Sequence, residues 1–309
     1  VVIYEEWIDG QEYSIDALVY RGELTVTGIA ERHIYFAPYF VELGHTLPAR
    51  LSERERRILI GTFSEGVRAL GIDNGAAKGD VFLREEGSGA VGEIAARLSG
   101  GYMSGWTYPY ATDVPLTEAG LRLALGEDPR PLLPEQAART SAERAFISIP
   151  GRVGGLEGLE AVREMDEVRE LFLRVSPGDA VAPPKNNVEK CGNIIVVGES
   201  REEATAAARR ALQALLVRLE PGVEATDRYL FDLRTESTWA CYPKLLKKTE
   251  RELAGVMAER PSIFRDSIRE LLREGRVGEG FDFRIPAESA LLEEHWPPYS
   301  SREAVRRLQ

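Results

Sequence analysis

The sequence predicts an α+β chain: an antiparallel sheet with helices, then a small α/β lobe, then a helical extension. Three observations predict it. Period-two apolar patterns joined by tight turns dominate the first hundred residues. Two amphipathic segments open on capping boxes, at Ser52/Glu55 and Ser200/Glu203. Pro129, Pro131 and Pro134 then mark a boundary, and the composition turns charged and helical after about residue 223. The expected divisions are 1–128, 129–222 and 223–309.

Composition bounds the function. Hydrophobic residues at 43% and charged residues at 29% exclude wholesale disorder, and 309 residues suffice for a buried core. Asp and Glu number 50 against 39 Lys and Arg, a net charge of −11, which disfavours binding nucleic acid through a broad basic face. Two cysteines, Cys191 and Cys241, make neither a disulfide framework nor a four-thiolate zinc site. No apolar run approaches about 18 residues, so no membrane span is expected. No basic-then-apolar leader opens the chain, and a cytoplasmic location is the expectation. The opening Val1-Val2-Ile3-Tyr4 reads as a strand from its first residue, so a further segment is expected to precede it, on the same gene or on a partner chain.

Residues 1–8 and 12–20 read as strands. In the second, Tyr13, Ile15, Ala17 and Val19 share one face, with Ser14 and Asp16 on the other. Arg21-Gly22 turns the chain into a strand at 23–30. A helix follows at 53–70, with Ile60, Phe63, Val67 and Leu70 as its apolar stripe and Gly71 after it. A hairpin comes next, 78–83 against 90–95, and then a Gly- and aromatic-rich loop from Ser99 to Tyr110 and a short helix at 117–125. The smaller unit carries a strand at 168–175, the turn Ser176-Pro177-Gly178-Asp179, a strand at 193–198 and a helix at 201–219. Helices are expected in the extension at 250–257 and 263–273.

The chemistry concentrates in the hairpin. With Glu86-Gly87 as a two-residue turn, counting outward sets Asp80 opposite Glu93. Directly opposed side chains share a face, with Cβ atoms about 4.5–5.5 Å apart. Two carboxylates so placed are solvated, share a proton or hold a cation. An oxygen-only set with few protein ligands suits Mg²⁺. A solvated acidic pair is the competing reading. Arg97 follows Glu93 by four residues, and its planar fork suits a phosphate or a carboxylate; an ordinary surface ion pair explains it as well. Gly100 and Gly101 permit close backbone approach, or simply a turn. His45 is one of three histidines, with no zinc spacing around it, and a packed structural histidine is the alternative to a functional one. His33 is expected half-exposed on a strand.

At these residues the sequence resembles the ATP-grasp superfamily of carboxylate ligases. Tyr4-Glu5-Glu6-Trp7-Ile8-Asp9-Gly10-Gln11-Glu12 resembles the nucleotide hinge, Gly79-Asp80-Val81 the first metal-carboxylate strand, and Gly92-Glu93-Ile94-Ala95-Ala96-Arg97 the second. Ala95 stands where the commoner form has Asn. The amino-acid ligase branch is the nearer likeness, through residues 40–49 around His45, Arg97 and the Ser99-Gly100-Gly101 loop. Residues 150–220 resemble the small carboxy-terminal lobe of such ligases, through Pro150-Gly151-Arg152-Val153, Ser176-Pro177-Gly178-Asp179 and residues 187–192.

The resemblance implies the carboxy-terminal half of an ATP-grasp fold and an ATP-dependent carboxylate–amine ligase acting through an acyl phosphate. It implies ATP at Glu5, Glu6, Trp7, Ile8 and Glu12, with Glu12 on the ribose, and Mg²⁺ at Asp80 and Glu93. It places Arg97 on the acyl phosphate, His45 at the amino-acid pocket and Gly100 against substrate. Trp7 and Ile8 have core packing as a second reading. The implied partners are small carboxylate and amine substrates, and a separate chain carrying the amino-terminal domain and the phosphate-covering lid, for which this sequence has no Gly-rich, Lys-containing pattern. Two other readings stand beside it: a non-catalytic binding or regulatory subunit that keeps the fold, and a purine-pathway carboxylase-like enzyme.

Overall fold

The structure, a computed structural model, describes residues 2, 4–36, 38–133 and 139–231. Along the chain lie β1 (Gln11–Tyr20), β2 (Glu23–Tyr35), β3 (Val41–Leu47), α1 (Glu53–Ala69), β4 (Gly75–Leu83) and β5 (Gly89–Ala95). A one-turn π-helix (Met103–Thr107) leads into α2 (Tyr108–Thr112) and α3 (Leu116–Ala124). Then come β6 (Thr140–Phe146), β7 (Gly151–Glu157), α4 (Leu159–Arg163), β8 (Val168–Leu173), β9 (Ala180–Val181), β10 (Gly192–Gly198), α5 (Arg201–Ala214), β11 (Leu216–Leu219) and α6 (Glu224–Phe231). Mixed α and β elements with a large antiparallel sheet are the class the sequence predicts.

Two compact units interleave along the chain. Among the described residues, the first takes those within 2–34, 44–143 and 195–207, and the second those within 35–43, 144–194 and 208–231. In the first unit the strands run in the order β5-β4-β1-β2, followed by the local ends of β3, β6 and β10. β1 is antiparallel to both β2 and β4, and β4 to β5. One face of β1 (Tyr13, Ile15, Ala17 and Val19) packs with Ile29, Ala77 and Val81 against Leu59, Phe63 and Val67 of α1. Ser52 and Glu55 close the capping box that starts this helix. The apolar stripe differs from the expected one. Leu59 lies on the buried line, Ile60 is only half-buried, and Leu70 is the C-cap residue at 61% exposure. Leu70 falls where the helix ends, so the periodicity has no further turn to carry it inward.

The second face of β1 is buried too. Leu18 packs there with Ala30, Leu47, Met103, Tyr108, Leu116 and Leu123, so the loop after β5 and its two helices cover that end of the sheet.

In the second unit Phe36, Val41, Leu43, Ala145 and Ile147 form a core, and β11-β7-β9 form a three-stranded sheet. The turn at Ser176–Asp179 is present, with the Asp179 N–H donating to Ser176 O at 3.1 Å. The helix expected at 201–219 stops at Ala214. Residues Leu216–Leu219 instead pair antiparallel with β7, Leu216 opposite Glu157. Leu216, Val217 and Leu219 gain burial in that ladder, and pairing overrides the helical pattern.

Two other expectations change. Residues 4–8 are not a strand; the regular ladder begins only at Gln11. Strand propensity without an adjacent strand leaves the backbone no ladder to join. His33 is buried at 4% exposure, with Nε2 3.0 Å from Thr46 Oγ1, because β2 runs on through Tyr35 and is an inner strand. Of the expected helical extension, only α6 is described. The helices expected at 250–257 and 263–273 lie outside the described residues.

Candidate active site

The register of the first unit builds the site. β1 points Glu12, Ser14 and Asp16 away from α1, and its antiparallel pairing with β4 sets Phe82, Asp80 and Lys78 opposite those three in turn. Asp80 in turn faces Glu93 on β5. The hairpin reaches this pairing by another route than a two-residue turn. Arg84 and Ser88 bracket a three-residue loop, the Gly87 N–H donates to Arg84 O at 2.9 Å, and Gly87 takes φ +81°. That loop shifts the register by one near the turn, where Val81 faces Val91. An extra residue, Gly92, then shifts it back before Glu93. A Cβ on Gly92 would lie 2.8 Å from the Phe82 ring, so the bulge is seated where a side chain does not fit.

Four charged side chains meet on this face. Arg32 pairs with Glu12, and its Nη1 also reaches Asp80 Oδ2 at 2.8 Å. Lys78 Nζ donates to the same Asp80 oxygen. All four side chains are 10–17% exposed. Asp80 Oδ1 is buried and accepts no hydrogen bond. One pleat along, Asp16 is fully buried, and its Oδ1 accepts the Ser99 N–H at 2.9 Å. Burial pushes the Asp16 carboxyl up to about 6, against the lowering hydrogen bonds from Ser99. Tyr108, fully buried on the same face, is held well above its usual range by burial and by the Asp16 charge.

Counting Glu93, four carboxylates face the two cations Arg32 and Lys78, an excess of two negative charges when all are ionised. The unsatisfied Asp80 oxygen, the opposed Glu93 and that excess fit a hard divalent cation such as Mg²⁺. The Lys78 and Arg32 contacts account for the stability of Asp80 as a buried anion without a metal.

The remaining sequence-selected residues fall into three groups. Arg97 and Gly100 are exposed on the loop after β5, where Arg97 Nη1 donates to Leu98 O at 3.1 Å. That loop is anchored from below by the bond between Asp16 and Ser99 and closed by Ser104 Oγ donating to Ser99 O at 2.6 Å. His45 is buried at 1% exposure, its Nε2 2.8 Å from Thr107 Oγ1 and its Nδ1 3.3 Å from Glu143 Oε2. It therefore joins β3, β6 and the π-helix that ends the loop. Glu5, Glu6, Trp7 and Ile8 precede the sheet in irregular backbone. Glu6 Oε1 accepts from Arg84 Nη2 at 3.2 Å, and Trp7 is 66% exposed, so the core-packing reading fails for Trp7. Ile8 is half-buried.

Arg32, Lys78, Asp16, Thr107 and Glu143 were not singled out as site residues from the sequence. For Lys78 and Asp16 the signal was present. Each sits an even number of residues from a selected carboxylate on its own strand, so it shares that carboxylate's face. Arg32 was hidden by a bulge. Tyr20 faces Glu23 at the turn, but the register slips between Asp16 and Ala17, and Tyr13 faces Glu31. Counting from the turn sets Glu31 beside Glu12, where the slipped register brings Arg32.

The strands that carry this face lie within a segment that matches a known family. Residues 1–105 match the family model of the ATP-grasp domain. Residues 145–220 match that of the L-amino acid ligase C-terminal domain 2. Among solved structures, the L-amino acid ligase from Bacillus licheniformis is 26% identical with a TM-score of 0.64, covering 69% of this chain and 53% of its own. Phosphoribosylglycinamide synthetase from Anaerococcus prevotii is 18% identical with a TM-score of 0.62, covering 70% of this chain and 55% of its own. The biotin carboxylase domain of Hydrogenobacter thermophilus 2-oxoglutarate carboxylase, solved with MgADP and bicarbonate, is 16% identical with a TM-score of 0.53, covering 76% and 51%. The last two establish the fold alone. No curated protein matches in sequence. The chain spans about half the length of these structures.

The chain thus shares the ATP-grasp fold, and its first hundred residues match the ATP-grasp domain family. Its second matched segment is the one found in L-amino acid ligases. Among the described residues, no helix is long and apolar enough to cross a membrane.

Proposed function

We propose that this chain supplies the metal-binding and substrate-loop half of an ATP-dependent ligase that joins a small carboxylate to an amine, with amino-acid-like substrates. The single observation that carries the proposal is the Asp80–Glu93 pair: two carboxylates in register on neighbouring strands, with one Asp80 oxygen buried and unsatisfied.

In this reading Glu12 accepts the ribose hydroxyls, and the backbone at Glu6 and Ile8 meets adenine. Asp80 and Glu93 hold Mg²⁺, which supplies charge compensation as the γ-phosphoryl group moves to a carboxylate oxygen. The acyl phosphate so formed is attacked by the amine, with release of phosphate. Arg97, exposed on the loop, binds the transferred phosphoryl group. Asp16 and the π-helix fix that loop, so Gly100 offers backbone to the substrate at a defined place. Buried between Glu143 and Thr107, His45 shapes the amino-acid end of the site from beneath the loop. A separate chain or segment supplies the amino-terminal domain and the lid that keeps water from the acyl phosphate.

Amino-acid-dependent ADP release, measured with that missing half present and screened over amino-acid pairs, tests the reading. Glu93→Gln abolishes the release; unchanged turnover in that variant removes the metal assignment.

A further inference from the structure

The hairpin carries one cation whose use the foregoing roles leave unexplained. Lys78 is 8% exposed, in the middle of β4, on the face that carries Asp80 and Asp16. An ammonium offers three N–H donors. Among the described residues Lys78 Nζ makes one hydrogen bond, to Asp80 Oδ2. Burying a lysine with two unspent donors is costly unless a further acceptor completes its set.

The Asp80 carboxylate does not depend on Lys78 alone. Arg32 Nη1 meets the same Oδ2 at 2.8 Å, while Oδ1 remains unsatisfied. Lys78 is therefore free to turn to an arriving anion without leaving Asp80 unpaired. Its place along the strand says which anion. Moving down β4, Phe82 lies opposite Glu12, Asp80 opposite Ser14 and Lys78 opposite Asp16. Two residues of strand advance roughly 6.5 Å. With the nucleoside at Glu12 and the metal at Asp80, Lys78 stands one pleat further on, beside the Asp16 that holds Ser99 of the substrate loop.

We infer that Lys78 is an oxyanion-binding residue of the reacting end of this site, and that its ammonium contacts the γ-phosphoryl group of bound ATP and not the α- or β-phosphate. This rests on the nucleotide reading given above. It adds a cation on the sheet itself, beneath the transferred group.

The test is equilibrium binding, by calorimetry on the whole chain together with any required partner. The probes are Mg²⁺ with a non-hydrolysable ATP analogue and Mg²⁺ with ADP, and the proteins are wild type, Lys78→Met and Lys78→Arg. Methionine keeps the length and apolar stem without the charge, and thermal unfolding checks that each variant is folded. The expected result is that Lys78→Met weakens the ATP analogue at least tenfold and ADP less than twofold, with Lys78→Arg recovering much of the loss. Comparing the two nucleotides removes any change in metal affinity at Asp80, which affects both alike. Equal effects of Lys78→Met on both nucleotides, or none on either, overturn the inference and leave the nucleotide site standing. Failure of the wild type to bind either nucleotide overturns the nucleotide reading and the inference with it. Should Lys78→Met fail to fold, the Lys78→Arg ratio decides: an analogue-to-ADP preference within twofold of wild type supports the cation, and a preference for ADP overturns it.

Discussion

The two faces of β1 and β4 are made by alternate residues of the same strands, yet they are stabilised in opposite ways. Toward α1 the strands present Tyr13, Ile15, Ala17, Val19, Ala77 and Val81, and the packing is apolar throughout. On the other side they present Glu12, Ser14, Asp16, Lys78 and Asp80, nearly as well buried but polar, and all charged except Ser14. Removing water from the first face stabilises the fold directly. On the second face, burial raises the energy of Asp16 and leaves an oxygen of Asp80 unsatisfied. The difference shows where the fold draws its stability: one side anchors the sheet while the other keeps unfavourable charges buried.

Substitutions should divide accordingly. On the apolar face Phe63→Ala removes a ring with no exposure, and a loss of about 3–5 kcal/mol in denaturant unfolding is expected. A loss below about 1 kcal/mol would show that the apolar face is not the anchor. On the charged face Asp16 should act against stability at neutral pH. Its folded value of about 6 lies above the ordinary 3.8, so between those values the folded protein keeps a proton the unfolded chain has released. Stability therefore falls as pH rises from about 4 to about 6 and stays lower above that. Asp16→Asn keeps a carbonyl acceptor for the Ser99 N–H and removes the charge. Stability measured across pH 4–7 should lose part of its slope, with a gain of up to about 3 kcal/mol at pH 7. A stability loss at pH 7 would contradict the assignment. Glu93→Gln, exposed at the rim, should change stability by only about 0.5 kcal/mol or less while ADP release disappears. A large stability loss would make Glu93 a structural residue.

Much of this was legible in the residues, unevenly and for physical reasons. Alternation along β1 named the inward face correctly, and Ser52 with Glu55 located the start of α1 to the residue, because both signals are local. The pairing of Asp80 with Glu93 was also read correctly, but through two compensating features: a loop one residue longer than assumed, and Gly92 bulged out to restore the count. The bulge at Asp16/Ala17 had no such compensation, and Arg32 was missed. The aromatic loop concealed a π-helix and α2, since Gly and Tyr carry no helical period, and only the packing of Met103 and Tyr108 reveals them. Residues 216–219 carry a helical continuation in sequence, and β7 claims them through a ladder that no local signal announces. His45 alone decides little in sequence, whereas in the structure its contact with Thr107 ties it to the loop after β5 and its contact with Glu143 to β6.

The central claim is that Asp80 and Glu93 jointly hold a divalent ion beneath a nucleotide. Mn²⁺ binding followed by electron paramagnetic resonance, with a non-hydrolysable ATP analogue present, tests it directly. The account predicts bound Mn²⁺ that depends on the nucleotide, weakened at least tenfold by Asp80→Asn and by Glu93→Gln in proteins that remain folded. Mn²⁺ affinity unchanged in both variants would contradict it.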